Sequence, residues 1–403
     1  MEVTFRSDRE SDFTNLEQYL AAGSFGELPD TWRHQAEHDL DQLRAVMNAL
    51  SSRMPWVNEE IRLQLAEFQE IDLPTRYDSP TQFRILQKLV SRVKAAAEMM
   101  GLDTASFPHV SCIPTGLVNA SAVALPNVSR PFLLFDSELF LYCHLFAKAF
   151  AQCLPVVGRG EMLSLSVDIE LVRKRIRETP EPTERFSDLL SAYSVTGSPS
   201  RSKQYNPEPD YVHLIDILRN GMELFVVAHE FGHVCSGHLS GVLERLGLHA
   251  EDLLGENPSH RQEHEADLIG MILTLQAMST SGYDAALSYV GVELFFVSLD
   301  IAARARHIVL HGNDENYVDS ASSSHPSHGG RRNLLQKSLG TFITEKEQAE
   351  GARKMAATYV EIAGFLWECA RTANRVAGGF SPPAPTPPYK RVRIRRFDEV
   401  TGP

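Results

Sequence analysis

The feature that most constrains this chain is an apolar run that ends in two histidines four residues apart. Residues 222–228 are apolar apart from Glu223, and they lead directly into His229, Glu230 and His233. On a helix, residues at i and i+4 project from one face about one turn apart, so both imidazoles can share a cation. Burying such polar groups is costly unless a metal or partner groups compensate. The sequence therefore predicts a metal site on a buried helix.

The residue after the first histidine adds chemistry to this site. Glu230 can reach a water on the metal without being a ligand. Zinc lowers the pKa of such a water toward about 7, and a neighbouring carboxylate can accept its proton and pass it to a leaving amine. A chance match is the competing interpretation, expected in roughly one chain of this length in a hundred from average His and Glu usage. We expect one Zn²⁺ per chain.

A zinc site of this kind needs a third protein ligand. One known pattern has a third histidine ten residues after the first, but here Leu239 occupies that position and His238 falls one place short. We therefore interpret His238 as a helix-end or surface histidine. Cys235 would lie on the opposite side of the helix, and we expect it in the core.

A better source of the third ligand is the segment His-Arg-Gln-Glu-His-Glu-Ala-Asp at 260–267. On a helix, Glu263 and Asp267 share one face with His260 and His264. We predict that Glu263 is the ligand and that Asp267 accepts a hydrogen bond from a ligand histidine, which would fix its tautomer. A solvated helix start and His264 as the ligand remain the alternatives. Three small residues would allow the two helices to pack closely: Gly232, Ala266 and Gly270.

The periodicity of the rest of the chain predicts an α+β protein. Residues 13–101 read as helices, including one from about 30 to 54 and one from 79 to 101. Short apolar runs broken by Pro and Gly predict strands between 106 and 136. Helical patterns then cover the following ranges: 137–153, 211–240, 259–279, 283–311 and 331–376.

We expect three regions along the chain. Residues 1–105 would form a helical N-terminal region, and 106–378 a core with an insertion at about 155–210. Within the insertion, 178–209 is rich in Pro, Ser, Thr and charge, which favours a surface loop. Residues 379–403 form a proline-rich basic tail.

Composition limits the classes of function. A net charge of −13 argues against a nucleic-acid or anionic-membrane binder, since both need a basic footprint. Five scattered cysteines without a C-x-x-C pair fit a reducing compartment. The N-terminus is polar and acidic, and no window reaches the ~18 uninterrupted apolar residues of a membrane helix. We expect a cytoplasmic protein without nucleic-acid or membrane partners.

Segments beyond the two motifs also match a pattern. Residues 118–126 (VNASAVALP) are similar to the "NAFALPGG" hairpin of one metallopeptidase group, and 131–139 to its next strand and helix start. Ser324, His325 and Pro326, followed by Arg331 or Arg332, are similar to the group's "THP…R" element.

With these segments and the two motifs, the chain resembles gluzincin metallopeptidases, especially the HtpX-like and CAAX-prenyl-protease-related group. The motif spacing is also compatible with ImmA/IrrE-like or Lit-like phage-exclusion proteases. The resemblance implies a zincin-like core, a small β-sheet plus an active-site helix, with His229, His233 and Glu263 as zinc ligands. It implies Glu230 as general base and Asp267 as the partner of a ligand histidine.

The resemblance also implies how a substrate would bind. The strand before the motif helix would be an edge strand, and a protein or peptide substrate would add to it at about 130–135. Peptide hydrolysis further needs a donor for the oxyanion. The candidates follow the polar loop, and the family element favours His325 and Arg331, or Arg332, over the other two: Tyr317 and His328.

The resulting expectation is a zinc-dependent endopeptidase acting on an intracellular protein, with 178–209 and the N-terminal helices gating the cleft. Two alternatives stay open. One is a toxin or phage-defence protease with a single target. The other is a non-catalytic sensor or binding protein stabilised by zinc.

Overall fold

A computed structural model of the chain describes residues 2–22, 73–105, 107–113, 118–125, 128–159, 162–235, 257–322, 325–343 and 345–376. These residues form a mixed α+β fold that is mostly helical with a small sheet. They divide into two compact units, one drawn from 2–91 and 105–137 and the other from 92–104 and 138–376. This division differs from the boundary expected near 106, because the strands belong with residues of the N-terminal region.

The first unit contains helix α1 (Glu2–Ala22), the start of α2 (Pro80–Met99) and a three-stranded sheet. Its strands are β1 (His109–Ile113), β2 (Ala120–Val123) and β3 (Phe132–Asp136), in the order β1-β3-β2. β1 runs parallel to β3, and β2 runs antiparallel to it. One face of α1 packs on the sheet through a shared apolar cluster: Phe13, Leu16, Leu20, Ile113, Val123, Phe132 and Leu134.

The predicted strand at 130–135 exists, but the expectation that it is an edge strand is wrong. Phe132 is paired with His109 of β1 on one side and with Val123 of β2 on the other. All five residues of β3 are buried, as expected for a central strand covered on both faces. A substrate strand cannot add to β3, because both of its edges are already paired.

The second unit is a layered helical assembly with one hairpin. Helix α3 (Ser137–Ala151) follows β3 in sequence. The hairpin pairs β4 (Val156–Arg159) with β5 (Met162–Leu165). The remaining helices are α4 (Ile169–Glu178), α5 (Pro180–Thr196), α6 (Pro209–Cys235), α7 (Pro258–Thr280), α8 (Ala285–His311), α9 (His328–Phe342) and α10 (Lys346–Val376). The helices predicted near 79–101, 137–153, 259–279 and 283–311 are confirmed.

The predicted surface loop at 178–209 is wrong, because most of it is ordered helix. Pro180 occupies the first turn of α5, where a missing N–H costs no hydrogen bond, and Gly197 ends the helix with φ 76°. Phe186, Leu189 and Leu190 are buried, and α5 packs against α8 and α10. The expectation that 178–209 gates the cleft rested on its being a surface loop, and that basis is absent.

Within the second unit, helix α6 packs against both α7 and α8. It crosses α8 at a pair of glycines: a Cβ on Gly291 would lie 2.6 Å from the Cα of Gly221. By length and composition, α8 is the one described helix that could cross a membrane, and 67% of its most apolar window is buried inside the protein.

Some predictions fall on residues outside the described ranges. These are the helix at about 30–54, the positions of His238 and Leu239, the end of the motif helix beyond Cys235, and the tail at 379–403.

Candidate metal centre

Close packing of α6 on α7 brings the two motifs together. A Cβ on Gly232 would lie 2.9 Å from the Cα of Ala266, so no larger residue fits there. Likewise, a Cβ on Gly270 would lie 3.2 Å from the backbone of His229. The small residues predicted to allow a close approach are the ones at the contact.

The approach places three ligand atoms around one point. The Nε2 atoms of His229 and His233 are 3.2 Å apart, and each is 3.7 Å from an oxygen of Glu263. Metal–nitrogen bonds of 2.0–2.1 Å in a tetrahedral site put neighbouring ligand atoms about 3.3–3.4 Å apart. The observed separations therefore fit one small cation, and this group could hold a metal ion.

Asp267 fixes the orientation of the first histidine. Its Oδ1 lies 2.9 Å from Nδ1 of His229, which leaves Nε2 facing the other two ligands. Burial alone would lower the pKa of His229, but the hydrogen bond and charge of Asp267 outweigh it and raise that pKa. A carboxylate on the far nitrogen is the usual companion of a ligand histidine.

Arg331 on α9 holds Asp267 in turn. Its Nε and Nη2 donate to the two carboxylate oxygens at 2.7 and 2.5 Å, and its Nη1 lies 3.5 Å from Glu263. Burial would raise the pKa of Asp267, yet the charge and hydrogen bonds of Arg331 hold it well below its usual range. The guanidinium is buried and stacks 4.8 Å from the ring of Phe296. Arg331 thus belongs to the centre as the partner of Asp267.

His325 also lies at the centre, on its more open side. Its Nε2 is 3.3 Å from Oε1 of Glu263, and its side chain is 35% exposed. The backbone N–H of His325 donates a hydrogen bond to Oγ of Ser322, and the Ser322 carbonyl lies 2.8 Å from Nε2 of His260. Helix α7 therefore positions the segment that carries His325.

Glu230 is buried on α6 beside the ligands. Its charge acts on both His229 and Arg331. Burial would raise the pKa of Glu263, but Arg331 first, and then the histidines, lower it. The centre combines three carboxylates with one guanidinium and three imidazoles. It is therefore a cluster of seven ionisable side chains, most of them buried.

The structure places the other oxyanion candidates elsewhere. Tyr317 donates to Asp300 at 2.9 Å, and Nδ1 of His328 lies 3.1 Å from Asp319. Arg332 donates to Glu293 at 2.6 Å. Of the two arginines that the family element left open, only Arg331 contacts the metal-binding group.

Sequence reasoning missed the residue that anchors α9. Glu293 is almost fully buried on α8, where it accepts from Tyr289, Arg332 and Gln336. This network fixes α9 and hence Arg331. The sequence did contain a signal for this residue, since Glu293 is a charged residue inside a predominantly apolar helix.

A second group, Asp300, Asp319 and His328, also brings possible ligand atoms together. Its members already have structural partners. Asp319 caps α9 by accepting from the amides of His328 and Gly329, and Asp300 pairs with Arg304. This group is half-exposed, and we interpret it as a helix cap.

No protein-family model, no curated protein and no solved structure matches this chain, so the residues of the centre carry the functional argument.

Proposed function

We propose that the chain is a zinc-dependent endopeptidase with a zincin-like core of the gluzincin type, acting on an intracellular protein. The observation that carries the proposal is the ligand set. Two imidazole nitrogens and one carboxylate oxygen lie at separations that suit tetrahedral coordination, with Glu230 on the same helix. His₂Glu is a donor set of catalytic zinc sites, which keep a fourth position open.

A bound zinc ion would supply Lewis acidity toward a carbonyl oxygen and toward water. Side chains of the protein would transfer the protons, stabilise the oxyanion and position the ligands. Glu230 accepts the proton of the attacking water and returns it to the leaving amine. His325, the most exposed polar group of the centre, donates a hydrogen bond to the developing oxyanion. Arg331 keeps Asp267 ionised, and Asp267 holds the tautomer of His229.

The role of Arg331 in this proposal differs from the one the family resemblance suggested. An oxyanion donor must reach the substrate, whereas the guanidinium is 8% exposed and its nitrogens face Asp267 and Glu263. We assign it a positioning role instead.

The test compares wild type with Glu230→Gln. Both proteins should bind one zinc per chain by elemental analysis, because Glu230 is outside the ligand set. Only wild type should generate new protein N-termini when expressed in cells and analysed by N-terminal proteomics. Glu347→Gln, at an exposed glutamate in the first turn of α10, is the matched control and should behave as wild type.

The outcome also separates the remaining alternatives. New N-termini in many proteins indicate a general protease, and new N-termini in one protein indicate a toxin or defence protease. If wild type and Glu230→Gln give identical N-termini while both hold zinc, the peptidase proposal fails in favour of a sensor or binding protein.

A further inference from the structure

Five residues around the N-terminal end of α6 form a second polar cluster, remote from the metal centre. Lys148 belongs to α3 and Gln152 directly follows that helix; Arg175 belongs to α4, Arg185 to α5, and Tyr205 to the segment before α6. Arg175 stacks over the ring of Tyr211, near the start of α6. His229 lies further along that helix by about 27 Å at 1.5 Å per residue.

The cluster contains three cations without a carboxylate partner. Lys148 is 4% exposed, and both its ammonium and the guanidinium of Arg185 lie 4.1 Å from the centre of the Tyr205 ring. Within the part of the chain that the structure describes, no Asp or Glu forms an ion pair with Lys148, Arg175 or Arg185. Burial first, and then the charge of Arg185, lower the pKa of Lys148 to about 8.

Hydrogen-bond donors also outnumber acceptors in this cluster. The carbonyl oxygens of the cluster are already used: Arg175 donates to the Gln152 backbone carbonyl, Arg185 to the Gln152 side-chain oxygen, and Lys148 to the Tyr205 carbonyl. The side-chain amide nitrogen of Gln152 and the hydroxyl of Tyr205 are buried without a partner. Gln152 itself is only 2% exposed.

Such an arrangement costs free energy when nothing else is bound. A buried charge is tolerated when it is paired, and a buried donor is tolerated when it is hydrogen-bonded. Three cations and two spare donors are the complement of an oxyanion with several acceptor oxygens, and arginine and lysine are the usual partners of such groups.

We propose that Lys148, Gln152, Arg175, Arg185 and Tyr205 form a binding site for a phosphate group. The site would bind either inorganic phosphate or the phosphate of an ester such as a nucleotide. The inference is independent of the metal centre, because none of its five residues contacts the zinc ligands.

The test uses the zinc-loaded full-length protein and follows thermal unfolding by circular dichroism. Inorganic phosphate is titrated at constant ionic strength against sodium chloride. At ten times its dissociation constant, phosphate should raise the melting temperature by about 2 °C or more relative to chloride. Adenosine 5′-monophosphate at equal concentrations distinguishes the sources: a larger shift indicates an ester site, and no shift indicates a site for the free ion.

Lys148→Met should abolish the shift caused by phosphate while keeping the far-ultraviolet spectrum. Without phosphate it should melt at or above the wild-type temperature, since a buried unpaired charge is removed. Arg185→Gln, at a partly exposed position, provides a second variant if Lys148→Met does not fold. Arg173→Gln is the matched control on α4, because Arg173 pairs with the exposed Glu170 and Glu361.

Two results would overturn the proposal. One is a wild-type melting temperature that responds to phosphate no more than to chloride. The other is a phosphate shift that persists unchanged in both Lys148→Met and Arg185→Gln.

Discussion

At the scale of single residues, Asp267 occupies the most demanding position of the metal centre. Its carboxylate is fully buried and is held between His229 on one side and Arg331 on the other. A buried ion pair adds little net stability when complete, but removing one partner leaves an uncompensated charge. The stability of this site therefore depends on both members being present.

The first prediction concerns Arg331→Met. Loss of the guanidinium should reduce the free energy of unfolding by about 3–5 kcal/mol, because the buried Asp267 carboxylate loses its cationic partner and keeps only the contact with His229. It should also weaken zinc binding about 10- to 100-fold, since the orientation of His229 is no longer fixed. Urea denaturation and competition with a chromophoric chelator measure the two effects.

Arg304→Met is the control for that variant. Arg304 is 40% exposed and pairs with Asp300 on the surface, so its loss should cost no more than about 1 kcal/mol. Wild-type zinc affinity in Arg331→Met would show that the arginine does not position the ligands.

The second prediction concerns pH and Glu223, which is buried on the motif helix. Burial is the main reason that its pKa is raised to about 7. The charge of Asp216 raises this pKa further, whereas the charges of Arg219 and Arg92 lower it. A carboxyl whose pKa is raised by folding stabilises the protein below its unfolded pKa, and this contribution disappears as the pH rises through the folded value. Wild type should therefore lose stability relative to Glu223→Gln between pH 6.0 and 8.5.

The expected size of that loss is about 1.4 kcal/mol, from a folded pKa near 7 and an ordinary unfolded value. Urea denaturation of both proteins at the two pH values measures it, and the comparison cancels the titration of all other groups. A constant difference between the two proteins across this range would mean that Glu223 is ionised throughout.

At the scale of helices and strands, the contact between α6 and α7 decides whether the ligands meet. Gly232 faces Ala266, and the backbone of His229 faces Gly270. The two motifs could be placed on facing helices from sequence because their polar and small residues recur at helical spacing.

The third prediction is that Gly232→Ala separates these helices. The added methyl would meet the Cα of Ala266 at 2.9 Å, so α7 must move and carry Glu263 away from the histidines. We expect a loss of about 1–3 kcal/mol in stability and weaker zinc binding. Gly364→Ala on α10 is the control: nothing lies within 4 Å of its Cβ, so it should be neutral or stabilising by up to about 1 kcal/mol.

Elements were predicted well where a local pattern determines them and poorly where distant segments do. The strands themselves, which short apolar runs between 106 and 136 predicted, are present. The parallel pairing of β1 with β3 joins segments that do not follow one another, so no local pattern revealed that β3 is central. Helix α5 was missed because the Pro-, Ser- and Thr-rich composition of 178–209 was interpreted as a loop, although proline also starts helices, as Pro180 does here.

The same limit applies to the metal centre. Residue type and spacing predicted the candidate ligands and, beside them, Glu230 and Asp267. The family element predicted that His325 and Arg331 lie near this group. The role of Arg331 was not predictable, because whether a guanidinium faces a substrate or a buried carboxylate depends on tertiary burial.

At the scale of the whole molecule, the metal centre belongs entirely to the second compact unit. All of its candidate ligands and their partners lie between residues 229 and 331. The sheet formed by β1, β2 and β3 belongs to the first unit.

The fourth prediction follows from this division. Removing zinc with a chelator should increase amide hydrogen exchange in peptides from 225–235 and 258–270, because binding to the folded state stabilises the region that supplies the ligands. Peptides from 109–136 should exchange at unchanged rates. Mass spectrometry resolves these peptides, and equal protection with and without zinc would contradict a metal bound at this centre.

The bond between Asp267 and Arg331 also sets an order for assembly. The two residues are 64 positions apart, so the carboxylate acquires its cation only after α8 and the start of α9 have folded against α7. Until then, a chain that already contains both histidines and Glu263 has a buried charge opposing closure of the centre. A polypeptide that ends before residue 331 should therefore not complete the site, and an assembled centre indicates that synthesis has passed residue 331.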